Sequence, residues 1–80
     1  MPRLFFHLRD DRDEILDPDG NDLPDREAME RYALMAARGI MAGDIANGIL
    51  DLRYRIDVES AAGETVYSLR FRDAFSIVDC

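Results

Sequence analysis

The chain has 80 residues, enough for one small domain and too few to bury a large core. Its 17 acidic and 10 basic side chains give a formal charge of -7, which argues against nonspecific nucleic-acid binding, since a phosphate backbone demands a concentrated positive surface. The lone cysteine, Cys80, excludes an intrachain disulfide framework, and no apolar run is long enough to suggest a membrane span.

All ten cations are arginine, a usage that genomic base composition explains as readily as a need for bidentate carboxylate pairing. A domain of this size buries only roughly 60% of the surface its unfolded chain exposes, so dimerisation is a ready way to cover a sheet face. Cys80 reads as an incidental terminal thiol. The first residues lack the basic segment, apolar stretch and cleavage site of a secretory signal, so cytoplasmic residence is the expectation.

Residues 3–9, RLFFHLR, alternate Leu4, Phe6 and Leu8 against Arg3, Phe5, His7 and Arg9, the period of a half-covered strand. The first set is expected to face the core. Phe5, on the otherwise polar side, is either a cross-strand packing residue or an exposed anchor for a partner. His7 has no second histidine or cysteine at ligand spacing and reads as a surface or lightly packed residue.

The charge run DDRDE at residues 10–14 predicts a solvated connection, and residues 14–16 a short second strand ended by the turn signal Asp17-Pro18-Asp19-Gly20. Asp17, Asp19 and Asn21 have the spacing that opens a calcium loop, with Asp25 at its ninth position. The match then fails, because Asp22 stands where glycine is needed and Ala28 where the bidentate glutamate belongs. Solvated turn and helix cap is therefore the favoured reading, and neither metal nor cofactor is expected.

Residues 25–47, DREAMERYALMAARGIMAGDIAN, form the only stretch long enough for a multi-turn helix. Asp25 can cap the first turn, Glu27 suits the dipole, and strong helix formers follow. At about 100° per residue, Met29, Tyr32, Ala33, Ala36, Ala37 and Ile40 share one stripe, with Met29, Tyr32, Ile40 and Met41 as its large anchors. Gly39 and Gly43 leave two endings open, one near Met41 and one near Gly48, and the longer helix capped by Gly48 is favoured.

Residues 50–59 alternate Leu52, Tyr54, Ile56 and Val58 against Arg53, Arg55, Asp57 and Glu59. A connection at SAAG leads into residues 64–71, where Thr65, Tyr67, Leu69 and Phe71 form the apolar side and Val66 is placed with Phe5 on the open face. Phe75 and Ile77 continue the alternation, so the tail is expected to be partly ordered. Arg53, Arg55, Arg70 and Arg72 would form a positive strip if they share that open face, balanced by Asp57, Glu59 and Glu64. A salt-linked solvated face is favoured over a binding strip.

The element order β-β-α-β-β predicts an α+β domain over residues 1–80, a four-stranded, mostly antiparallel sheet with one helix on one face. No nucleophile–base pattern, phosphate loop or metal motif is present. The leading expectation is a noncatalytic protein-interaction or regulatory domain, with an unidentified protein partner or a second copy, acting through the face of Phe5, His7 and Val66 or an edge strand. The alternative is a nucleic-acid-associated regulator using Arg53, Arg55, Arg70 and Arg72. An enzyme is the least supported reading.

The words MPRLFFHLRD, DPDGNDLPDREA, AARGIMAGD and LRFRDAFSI together resemble a family of small uncharacterised bacterial proteins, found especially in alphaproteobacteria and described only as a domain of unknown function. The shorter stretch from Ile15 through LPDREA is similar to HicB-like antitoxin domains, whose two strands feed a helix after a comparable Pro-Asp segment. That second resemblance implies a regulatory role; the first implies no particular activity.

Overall fold

The computed structural model describes residues 3–79. Cys80, read above as an incidental thiol, lies outside the described residues. The chain runs β1 (Arg3–Arg9), β2 (Glu14–Ile15), β3 (Asn21–Asp22), α1 (Arg26–Ala46), β4 (Arg55–Ser60), β5 (Thr65–Arg70) and a 3-10 turn at Phe71–Asp73.

All strand pairs are antiparallel, in the order β2-β1-β4-β5. The two-residue β3 is an addition to the expected topology; it pairs Arg3 with Asp22 and Leu4 with Asn21. Because β4 occupies one edge of β1 from Leu4 to Arg9, β2 and β3 share the other. Between them the Phe6 N–H would be orphaned, and it donates instead to the Asp17 carboxylate at 3.1 Å. The turn expected at residues 17–20 thus acts as a plug in the ladder. Gly20 closes it with φ +71°, in a space where a side chain would strike the Leu4 carbonyl and the Phe5 ring.

The helix takes the longer of its two endings. Asp25 accepts from the Ala28 N–H at 2.8 Å as N-cap. At the other end Gly48, with φ +83°, donates to Ile45 O while Ile49 donates to Asp44 O, the paired bonds of a Schellman cap. Met29, Ala33, Ala37 and Met41 are buried against β4, β5 and the 3-10 turn, in a core with Leu4, Ile56, Val58, Leu69, Phe71 and Ala74. Tyr32, Ala36 and Ile40, expected to share that stripe, lie at its edge and are only partly covered, beside Phe6 and Leu8. A buried row stepping by four residues drifts around a helix with about 3.6 residues per turn, so the two rows run side by side.

Two further expectations are corrected, and the tail packs only in part. The fourth strand begins at Arg55 rather than at residue 50, although Leu52 and Tyr54 still pack against the core. The register shift beside Glu59 inserts Val66 as a bulge between Tyr67, opposite Val58, and Thr65, opposite Glu59, and Val66 packs with the core rather than with Phe5. In the tail, Ala74 is buried and its carbonyl accepts from Arg38 Nε at 2.7 Å, but Ile77 and Val78 stand 78% and 94% exposed.

Candidate functional site

Strand register sorts the sheet face opposite α1 into three rows across β1, β4 and β5. Arg9, Arg55 and Arg70 form one row, His7, Asp57 and Ser68 the next, and Phe5, Glu59 and Thr65 the third. The rows are stitched diagonally. Arg9 donates to Asp57 at 3.2 Å and to Glu59, and its Nε reaches Glu14 at 2.8 Å. Arg55 donates to Asp57 at 3.1 Å, and the Ser68 hydroxyl donates to the same carboxylate.

Asp57 is the hub and is only 6% exposed, a place where an unpaired carboxylate would be costly. Burial pushes its pKa up; the bonds from Ser68, Arg9 and Arg55 more than offset that, leaving it below the ordinary aspartate value. Bonds that it donates to Glu14 and Glu59, with a further one to Asp57, hold the Arg9 guanidinium even more firmly protonated than usual. Every buried side-chain nitrogen and oxygen among the described residues has a hydrogen-bond partner.

His7 is buried, not at the surface. Its Nδ1 accepts from the Asp17 N–H at 3.1 Å, its Nε2 lies 3.5 Å from Glu59, and its ring stacks with Phe5 at 6.3 Å. Phe5 in turn packs over Gly20, so it is a packing residue and not a protruding anchor. His7, Asp57 and Ser68 are the residue types of a hydrolase triad, but the carboxylate stands between the other two and accepts the serine hydrogen bond itself. A relay needs the imidazole in that middle place.

The expected arginine strip is only half assembled. Arg55 and Arg70 are direct cross-strand partners, whereas Arg53 precedes β4 and Arg72 sits in the 3-10 turn. Arg53 is bound twice to Asp51, whose carboxyl it holds at about 2, and Arg70 pairs with Asp73 at 3.0 Å. Arg9 completes the row, a role its position on the first strand did not announce.

The apolar surface lies on the helix side. With α1 over β4 and β5, the flank of β1 and β2 is left as a trough of about 310 Å3 lined by Phe6, Leu8, Ile15, Leu16, Tyr32 and Ala36. Ile15 and Leu16, two of its lining residues, are 65% and 54% exposed. The Tyr32 and Phe6 rings meet at 4.6 Å, and the Tyr32 hydroxyl accepts from Asn21. Two adjacent aliphatics, Ile15 ending the two-residue β2 and Leu16 just past it, were the available signal, because alternation can turn only one of them inward.

A family model matches residues 3–72, from the start of β1 into the 3-10 turn. The chain belongs to DUF6894, a domain of unknown function. No curated protein and no solved structure is significantly similar to it. The DUF6894 span takes in the polar rows, the Asp17 plug and the whole apolar trough, whereas Phe75 and the exposed Ile77 and Val78 fall outside it. No helix among the described residues is long and apolar enough to cross a membrane.

Proposed function

We propose that the chain is a noncatalytic protein-interaction domain whose contact surface is the trough between α1 and the β1–β2 hairpin, taking an apolar segment of another protein. The observation that carries this is the exposure of Ile15 and Leu16 beside the floor formed by Phe6, Leu8, Ala36 and Ile40, while the opposite face is consumed by its own salt links. Contiguous exposed apolar surface on a small domain marks a contact site more often than scattered single residues do. Two polar points flank the floor, the Tyr32 hydroxyl and the Asn21 amide, and can orient a peptide backbone.

Photo-crosslinking tests it. A crosslinking residue at Ile15 or Leu16 should give a discrete adduct with one partner protein in the native cell, and one at Ala62, on the exposed β4–β5 turn, should not give that adduct. Adducts of equal pattern from all three positions, or none from any, would sink the proposal. The row of Arg9, Arg55 and Arg70 supports a second reading, a nucleic-acid-associated or antitoxin-like regulator. It predicts salt-sensitive binding that charge reversal at Arg55 and Arg70 abolishes, and no retention of labelled DNA or RNA at low salt would remove it.

A further inference from the structure

The two edges of the sheet are finished differently. On the β1 side, the outward groups of Leu4 and Leu8 meet β3 and β2, and the Phe6 N–H between them is taken by Asp17. On the far side β5 runs for six residues, and among the described residues only β4 pairs with it.

The phase of the ladder says which groups that edge presents. Phe71 N–H donates to Tyr54 O at 3.1 Å, so Phe71 and Tyr54 are a hydrogen-bonded pair. Bonded and non-bonded pairs alternate in an antiparallel ladder, which makes Leu69 with Ile56 bonded and makes Arg70 with Arg55, and Ser68 with Asp57, non-bonded. The N–H and C=O of Ser68 and Arg70 therefore point away from the sheet. Val66 O, further along, accepts from Arg26 at 3.3 Å, a long bond from an exposed side chain.

The side chains along this edge carry a direction. Glu64 stands just before the strand, Arg70 at its end and Arg72 in the 3-10 turn that follows. Among the described residues neither the Glu64 carboxylate nor the Arg72 guanidinium has a charged partner; Arg70 has the exposed Asp73, three residues on, a solvent-screened pair of small worth. An antiparallel two-fold pairing of this strand with itself brings each Glu64 alongside the arginines of the other copy, at both ends at once. It also sets Tyr67 and Leu69 of the two copies side by side on the helix face, the kind of cross-strand pair that stabilises a sheet. Opposite-charge ends favour antiparallel over parallel approach. Arg26, Arg55, Arg70 and Arg72 lie around this edge, and the acidic run of residues 10–25 is on the other side of the sheet, in a chain whose charge is -7.

We infer that β5 is a homodimerisation edge, pairing antiparallel with β5 of a second copy and locked at each end by Glu64 of one copy against Arg70 and Arg72 of the other. This rests on the reading of the chain as an interaction domain but uses a different surface from the trough, so either can fail alone.

Sedimentation equilibrium of the full chain, with amide hydrogen exchange, tests it. The expected result is a dimer in which the Ser68 and Arg70 amides exchange slowly. Glu64→Arg, and separately Arg70→Glu with Arg72→Glu, should each raise the dissociation constant by more than about tenfold, and the combination of all three should restore it. Circular dichroism of each variant, all of whose sites are exposed, separates lost pairing from lost folding. A monomer at high micromolar concentration would overturn the inference. So would a dimer that ignores the charge reversals and leaves the Ser68 and Arg70 amides unprotected.

Discussion

The Asp17 N–H donates to His7 Nδ1 at 3.1 Å, which makes that atom of the ring an acceptor and leaves the imidazole proton on Nε2, facing Glu59. A surface-reading histidine is thus a latch holding the β2–β3 connection against β1. His7→Phe keeps the ring stacked near Phe5 but leaves the Asp17 N–H without an acceptor, and should cost about 1–2 kcal/mol in urea unfolding. His7→Asn, whose side-chain oxygen can reach a similar place, should recover part of the loss. If the two variants are equally stable, the bond is not what holds the connection; nitrogen-15 shifts of the imidazole check the tautomer independently.

Asp57 sets a pH dependence whose sign follows from its partners. Its carboxyl is below the ordinary value in the folded chain, so folding favours the ionised form. The stabilisation is therefore fully present above the unfolded-state value of about 3.9 and is lost as pH falls through the lower folded value. Asp17 acts in the same direction: burial raises it, but the N–H groups of Gly20, Phe6 and Asp19 outweigh that. Acid unfolding below about pH 4 should be steep in the natural chain. Asp57→Asn should lose on the order of 2–3 kcal/mol at neutral pH and show a flatter acid limb. Equal limbs in the two proteins would show that Asp57 does not couple folding to protons.

Much of this architecture was legible because local chemistry and periodicity agreed. The Asp25 cap, the run of helix formers and Gly48 set the helix ends, and strict alternation around Ile56 and Val58 marked the covered face. What was hidden depends on pairing across the sheet. Arg9 reads as a strand-end cation until register places it beside Arg55, and His7 reads as exposed until the Asp17 connection folds back onto it. Val66 was misplaced by a single inserted residue, which turns a side chain to the other face. The trough was hidden for a different reason: one helix is too narrow to cover a sheet from β2 to β5, and the pattern does not say which strands it leaves bare.

The glycines separate backbone need from accident, and they give predictions of opposite sign. Gly20 has φ +71°, and an added methyl would lie 2.9 Å from the Leu4 carbonyl oxygen and 2.7 Å from Arg3 Cγ, so Gly20→Ala combines left-handed strain with a backbone clash. A loss of more than about 2 kcal/mol is expected. Gly63→Ala, at φ +86° with open space around it, isolates the strain alone and should cost about 1 kcal/mol. Gly39 and Gly43 lie inside α1, exposed, with nothing near a new methyl, and each change to alanine should stabilise by about 0.5–1 kcal/mol by restricting the unfolded chain and favouring the helix. Thermal unfolding of the four variants against the natural chain orders them. A destabilised Gly39→Ala or Gly43→Ala would mean that this half of the helix closes against something a methyl obstructs, and the exposed face of α1 would then become an interaction surface in its own right.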